Sequence, residues 1–146
     1  MTNRFVFSIP FDLADDELTL VSAGHFVGDE STQYAPCYRF EMRNLDSGQV
    51  MGRISLLVSN AESIVNGAGH SGFSVLPEFR GKRYAARSIK LIVFLARYHG
   101  MRELIFACKA DNVPCRRTCE LAGATLVDAA SQKRYRYRLD LESQKA

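Results

Sequence analysis

The segment Val75-Leu-Pro-Glu-Phe-Arg-Gly-Lys-Arg-Tyr-Ala-Ala86 constrains the fold more than any other part of this chain. It joins a short apolar strand, Phe73 to Val75, to a long amphipathic helix. Pro77 cannot donate to a sheet ladder, so the strand must end before it. Gly81 and the small Ala85 and Ala86 let a ligand come close to the backbone where the helix begins. Helix-initial N–H groups have no partner inside the helix, and the helix dipole adds partial positive charge beside them. Arg80, Lys82 and Arg83 crowd the same turn. Such a place suits a phosphate group. It is neither a Walker loop, since no Gly-Lys-Ser/Thr follows, nor the Gly-x-Gly-x-x-Gly dinucleotide fingerprint.

The flanking patterns predict one α/β domain over residues 1–146. Phe5, Phe7 and Ile9 alternate with other residues and predict a first strand from Arg4 to Ile9. Asp15, Asp16 and Glu17 ahead of Leu18, Leu20 and Val21 predict a short helix with acids in its first turn. Tyr38, Phe40 and Met42 alternate with Arg39, Glu41 and Arg43, and Asp46-Ser47-Gly48 turns this strand into Val50 to Val58 as a hairpin. Residues 60–69 read as a loop with room for one helical turn, and His70 to Val75 as a strand. On the long helix, Arg83, Arg87, Lys90 and Arg97 mark a wet face opposite Ala85, Ile89, Ile92 and Ala96. Gly100 caps its end, and His99 beside it supplies a cation to the dipole. Leu104 to Cys108 is a buried strand, parallel to the one before it because a helix crosses between them. Asp111-Asn112 caps a second helix with Pro114 in its first turn. Leu126-Val127 and Tyr135 to Leu141 close the chain as a hairpin.

The junction resembles the pyrophosphate-binding signature of the GNAT superfamily of acyl-CoA-dependent N-acyltransferases, Arg/Gln-x-x-Gly-x-Gly/Ala after a Val-x-Pro strand end. Arg80 matches the first position and Ala85 the last, while Arg83 stands where a central glycine is usual. The continuation matches in order: the helix through Leu91 to Gly100, the strand Leu104 to Cys108, then Asn112, then Glu120-Leu-Ala-Gly-Ala124. The resemblance covers residues 50–141 well and the first 35 poorly, and is closest to small, uncharacterised bacterial members. It implies a single GNAT-like α/β domain with a mixed, mostly antiparallel sheet of six to seven strands flanked by helices. Two central parallel strands are expected to splay apart. Residues 1–35 would form an abbreviated acceptor-side region and residues 69–124 the acetyl-CoA-binding core. In that frame Phe73 and Val75 offer main-chain groups to pantetheine, and Arg80, Gly81, Lys82, Arg83, Tyr84 and Ala85 hold the pyrophosphate. Asn112 bonds the pantetheine arm, a role that coexists with plain N-capping.

The implied reaction is acetyl transfer from acetyl-CoA to a primary amine, on a small molecule or a peptide, by direct attack in a ternary complex. It needs a base, donors for the carbonyl oxygen and an acid for the departing thiolate. By family analogy the Val75 N–H is the oxyanion donor. Cys119 stands where the family often has a tyrosine, seven residues after the asparagine and just before Glu120. A thiol of pKa about 8.5 can protonate a thiolate; a buried cysteine is more often a small hydrophobe. His70, beside the slot, is the base candidate with an unperturbed pKa near neutrality. A purely structural histidine fits the sequence equally well. Glu41 and Glu62 are further candidates, as bases or as binders of a substrate cation, and many family members use a water chain instead.

Residues 1–78 carry 4 Lys/Arg against 10 Asp/Glu, and residues 79–146 carry 15 against 6. The basic half suits anionic coenzyme A and the acidic half a cationic amine, although solvated surface without a role gives the same imbalance. Cys37, Cys108, Cys115 and Cys119 lack framework spacing, which points to reduced thiols in the cytoplasm. No signal segment opens the chain and no apolar run can span a bilayer, so no membrane partner is expected. Arg116 and Arg117 beside the two helical cysteines argue against a metal site. Lys133 to Arg138 interleaves cations with Tyr135 and Tyr137 as a nucleic-acid strip would, but a half-buried strand accounts for it more simply. Two rival functions follow: a catalytically silent acyl-CoA sensor, and an RNA-associated acetyltransferase acting on aminoacyl-tRNA. The acceptor, the acyl length and the oligomeric state stay open, with edge pairing through the C-terminal hairpin one route to a homodimer.

Overall fold

Leu18 and Leu20 are buried while Thr19 and Val21 between and after them are half-exposed, a period of two that makes this segment a strand. In the computed structural model, which describes residues 5–30, 34–128 and 134–142, it is β1 (Leu18–Val27). It pairs with β2 (Pro36–Asn44), which pairs with β3 (Val50–Leu57), which pairs with β4 (Phe73–Val75), in one antiparallel sheet. A second antiparallel sheet has the order β5-β7-β6, from β5 (Glu103–Lys109), β6 (Thr125–Asp128) and β7 (Arg134–Asp140). Three helices connect these strands: the single turn α1 (Glu62–Val65), the long α2 (Tyr84–Tyr98) and α3 (Val113–Leu121). The α/β architecture and the strand count agree with expectation.

α2 holds the two sheets to one core. Its Ile89, Ile92 and Leu95 pack into a buried cluster with Phe40, Ile54 and Leu56 of the first sheet and Leu104, Phe106 and Tyr137 of the second. Each such side chain contributes roughly 1.5–3 kcal/mol on burial, so the helix axis, and the position of its N-terminus, is fixed by packing. Its C-terminus closes as foreseen at Gly100, whose φ of +79° suits only glycine comfortably. There the Met101 N–H donates to the Ala96 carbonyl at 3.0 Å.

The N-terminal expectations fail. Residues 5–10 form no strand; Arg4 lies outside the described residues. The alternating Phe5 and Phe7 are real inward-facing residues, but they pack on rings, with Phe7 stacked on His25 at 4.1 Å and Phe5 on His99 at 4.6 Å. The Ser8 main chain bonds the Tyr38 hydroxyl instead of a neighbouring strand. The helix foreseen after Asp15 is β1. Asp15 spends its carboxylate on the N–H groups of Glu17 and Leu18, a local turn that competes with helix formation. His99 is no exposed cation for the dipole either: it lies 2.6 Å from the Tyr38 hydroxyl, and burial pushes its pKa down.

β4 and β5, foreseen as a splayed parallel pair, share no ladder. The sheets touch through a bridge between Gly69 and Phe106, next to which His70 fills the gap. The His70 N–H donates to the Ile105 carbonyl at 2.7 Å, and the Ile105 N–H donates to His70 Nδ1 at 2.9 Å. One residue thereby satisfies both main-chain groups that a strand partner would have taken. Beyond it toward Pro77 the two strands part, and a cleft opens.

Candidate active site in the cleft between β4 and the start of α2

The ladder register decides which way β4 directs its main chain. Ser55 N–H donates to the Gly72 carbonyl and Leu76 N–H to the Met51 carbonyl, so bonded pairs fall at Gly72 and Leu76, with Ser74 between them opposite Arg53. In an antiparallel pair the intervening residues turn their N–H and C=O groups away from the partner. Phe73 and Val75 therefore face their main chain into the cleft. The Val75 carbonyl is engaged by Arg80 Nε at 3.0 Å, which leaves the Val75 N–H as the donor at the strand's end.

That cleft, of about 510 Å³, runs from Phe73 and Val75 past Arg80, Gly81 and Arg83 to the first turn of α2. The α2 N-cap, Arg83, gives no side-chain cap to the helix amides, so the first-turn N–H groups and the positive end of the dipole stay directed at the cleft. Gly81 has φ +86° and a Cβ there would meet nothing within 4 Å, so glycine serves the turn and not a contact. Arg83 has φ +65° and ψ 23°. This left-handed conformation explains why the signature has glycine at that position, and the arginine holds it at a steric cost. Tyr84 and Ala85 line the inner wall, and Asn112 faces them across the cleft. Asn112 Oδ1 accepts the Cys115 N–H at 3.2 Å as the N-cap of α3; its NH2 end remains a donor for a ligand. Of the residues foreseen for the cofactor only Lys82 is absent from the lining.

The start of α2 is pinned from outside by the three acids of residues 15–17. Arg87 Nε and NH2 contact Asp15 at 2.8 and 2.9 Å, its NH1 contacts Glu17 at 2.7 Å, and its NH2 contacts Asp16 at 3.0 Å. Burial raises the Asp15 carboxyl, but Arg87 and the two turn amides outweigh it and hold Asp15 below the ordinary carboxylate range. The Arg87 hydrogen bond lowers Glu17 in the same sense. Three of the ten acids of residues 1–78 thus share one guanidinium and serve to anchor the start of α2.

The acid and base candidates fare differently. His70 is 2% exposed, lines neither cavity, and has both ring nitrogens committed. Because Nδ1 accepts from Ile105, the proton sits on Nε2, which donates to the Ser59 carbonyl at 2.9 Å. Burial pushes its pKa down. It is a clamp between sheets, and the structure contradicts a role as base. Cys119 is fully buried and absent from the cleft lining. Burial, with the Glu120 charge, pushes its thiol up to about 12, which corrects the reading of Cys119 as the acid. Glu62 sits in the first turn of α1 and lines neither cavity.

Glu41 does line a cavity, a groove of about 540 Å³ on the sheet face turned away from α2. Phe73 and Ser74 border both the groove and the cleft. Arg43 Nε donates to Glu41 Oε1 at 3.0 Å, and Arg39 and Arg53 line the same groove. Sequence reasoning missed these two arginines, although Arg39 lies two residues from Glu41 on β2 and Arg53 is Glu41's partner on β3, which puts all three on one face. It also missed Cys115 and Thr118, which line the cleft at helical spacing from Asn112.

The expectation of reduced thiols fails for two cysteines. Cys108 near the end of β5 and Cys115 in the first turn of α3 form a disulfide, their Cα atoms 6.0 Å apart. The tight turn at Asp111 and Asn112 folds α3 back on its strand and brings them together. Cys119 Sγ lies 3.7 Å from Cys108 Sγ, and the three sulfurs lie within 4.8 Å of one another. The basic strip of β7 is also spent internally: Arg138 pairs with Glu103 at 2.6 Å, and Arg136 pairs with Asp128 at 3.0 Å. Lys133 of that strip lies outside the described residues. Among the described residues no helix is long and apolar enough to cross a membrane.

The profile of the Acetyltransferase (GNAT) family matches residues 13–124. Among solved structures, an acetyltransferase from Agrobacterium tumefaciens is 16% identical with a TM-score of 0.65, covering 95% of this chain and 99% of that one. A GNAT-family acetyltransferase from Bacillus anthracis is 15% identical with a TM-score of 0.55, covering 71% of this chain and 66% of that one. Spermidine N-acetyltransferase from Vibrio cholerae, a dodecamer, is 12% identical with a TM-score of 0.60, covering 74% and 67%. The chain thus spans about two thirds of the length of the last two. No curated protein matches the sequence. At these identities the structures speak for the fold, and the sequence profile, which spans most of the chain and includes the strand–helix junction, speaks for descent: the chain belongs to the GNAT acetyltransferase family.

Proposed function

We propose that the protein transfers an acetyl group from acetyl-CoA to a primary amine by direct attack in a ternary complex. One observation carries the reading. A single cleft joins the outward-facing main chain of Phe73 and Val75 to the side-chain-uncapped start of α2. The pyrophosphate would sit on the first-turn amides with Arg80 and Arg83 beside it. Pantetheine would pair with Phe73 and Val75 and reach Asn112. The thioester carbonyl then meets the Val75 N–H, which stabilises the oxyanion of the tetrahedral intermediate. A related structure, the MccE acetyltransferase, was solved with acetyl-CoA and AMP, which supports the choice of acyl donor.

The amine would enter from the groove on the far face of the sheet, across Phe73 and Ser74. Neither His70 nor Glu62 reaches that path and Glu41 is held by Arg43, so groove water takes the ammonium proton. Coenzyme A leaves as a thiolate and is protonated from solvent. Arg39 and Arg53 favour an acceptor with a carboxylate near its amine. Named relatives act on quite different amines, spermidine in one case and the N-terminal serine of a ribosomal protein in another, which supports an amine acceptor here and leaves its decoration to this groove.

Titration calorimetry with acetyl-CoA, paired with coenzyme A release across a panel of amines, tests the reading. Binding in the micromolar range with release dependent on one class of amine is expected. Absence of acetyl-CoA binding to the intact protein overturns it. Among the described residues the cleft lining holds no carboxylate and no imidazole, which favours one second reading, a silent acyl-CoA sensor, and binding without turnover on any amine selects it.

A further inference from the structure

Two sulfurs of the three-cysteine cluster are buried at 1% exposure or less, and the third faces the cofactor cleft. Cys108 and Cys119 lie in the core, whereas Cys115 lines the cleft beside Asn112 and Thr118. The cleft-facing sulfur is therefore one half of a disulfide whose other half is buried. A thiol arriving through the cleft meets Cys115 first. We propose that the Cys108–Cys115 disulfide captures coenzyme A, the thiol product of the transfer reaction, as a mixed disulfide on Cys115. This inference rests on the reading that the cleft holds the pantetheine arm.

The step balances without any external oxidant. The coenzyme A thiolate attacks Cys115 Sγ, a new sulfur–sulfur bond forms there, and the Cys108–Cys115 bond breaks. The electron pair leaves on Cys108 Sγ, which takes up the proton that the coenzyme A thiol has shed. The number of disulfides is unchanged. Attack must be nearly in line with the breaking bond, and Cys115 is the sulfur with an open side. Cys119, 3.7 Å from Cys108 Sγ, can donate its S–H to the departing sulfur. Burial keeps Cys119 a thiol, so it competes poorly as an internal nucleophile. The reverse step, attack of Cys108 on the mixed disulfide, expels coenzyme A and restores the starting bond. Occupancy then follows the ratio of free coenzyme A to its acetylated form. Acetyl-CoA, whose sulfur is acylated, binds without reacting.

The test uses the whole protein purified without reductant, and begins with a non-reduced peptide map that should contain the Cys108–Cys115 cross-link. Coenzyme A is then added, with acetyl-CoA and glutathione in parallel, and intact mass is read after acid quench. The expected result is a gain of one entire coenzyme A, with no hydrogens lost, mapped to Cys115. Acetyl-CoA should give no adduct, and glutathione should react at least tenfold more slowly because the cradle does not hold it. Cys108→Ala, at a buried position off the cleft lining, leaves no disulfide to attack and should abolish the adduct while keeping acetyl-CoA binding in calorimetry within about threefold; the wild-type map stands alone if that variant folds poorly. Missing cross-link, an adduct on Cys37 or Cys119, or equal rates for glutathione overturn the proposal. If acetyl-CoA binds but coenzyme A leaves the mass unchanged, this inference fails and the acetyltransferase reading stands. If neither ligand binds, both fall.

Discussion

Replacing His70 separates a clamp from a catalyst. In the folded protein its Nδ1 accepts the Ile105 N–H and its Nε2–H donates to the Ser59 carbonyl, each at 2.9 Å, at a site 2% exposed. His70→Ala strands a buried N–H, at about 1–3 kcal/mol, and leaves an imidazole-sized void that adds about 2 kcal/mol. The expected loss is therefore about 3–5 kcal/mol, a large share of the 5–15 kcal/mol typical of a domain. The denaturant midpoint should fall accordingly. His70→Gln, which retains one donor and one acceptor, should recover part of it. Proton linkage gives a second readout. Burial holds the folded His70 below its ordinary value of 6.5, so the stabilisation is complete above 6.5. It is lost as pH falls toward the folded value, because the unfolded chain takes up the proton first. Stability of the wild type should decline between about pH 7 and 5, and His70→Gln should show a shallower decline, the remainder belonging to the similarly lowered His99. The reasoning is refuted by a stable His70→Ala or His70→Gln protein that binds acetyl-CoA normally, loses turnover a thousandfold and is rescued by added imidazole. That pattern belongs to a base.

Arg83→Gly removes a side chain from the left-handed N-cap of α2, and thermal melts should show a gain of up to about 1 kcal/mol; a loss of that size would mean the arginine makes contacts that outweigh its strain. Arg87→Ala releases Asp15, Asp16 and Glu17 and should cost about 1–2 kcal/mol at neutral pH. Because Asp15 and Glu17 titrate below their ordinary values only in the folded state, the difference between wild type and variant should shrink as acid protonates both, and a pH-independent difference would contradict the pairing. Arg53→Ala should raise KM for a carboxylate-bearing amine about tenfold, about 1.4 kcal/mol, with a smaller change in kcat, and an equal effect on neutral amines would remove Arg53 from acceptor recognition.

The strand end at Pro77, the uncapped helix start, the glycine stop at Gly100 and the Asn112 cap were all legible in sequence, since each is a local event written in neighbouring residues. The residues singled out for the cofactor around the strand–helix junction, Lys82 excepted, line one cleft. The hairpin of β2 and β3 was legible for the same reason, through its alternation and its turn. β1 was misread because acids ahead of an apolar run resemble a helix start, while their partner, Arg87, lies 72 residues from Asp15. Phe5 and Phe7 alternate as a strand would, yet their burial comes from rings at Tyr38, His25 and His99.

What the sequence settled alone is the strand–turn–helix junction from Phe73 into α2, because backbone geometry there depends on proline, glycine and helix periodicity within a dozen or so positions. Only the tertiary structure assigned His70, Cys119 and the Cys108–Cys115 pair. Whether a histidine is a base or a clamp, and whether a thiol is buried, bonded or facing a cleft, depends on groups that packing brings together from distant parts of the chain. Local spacing carries no record of those partners, and it is their hydrogen bonds, burial and charge that fix what each side chain can do.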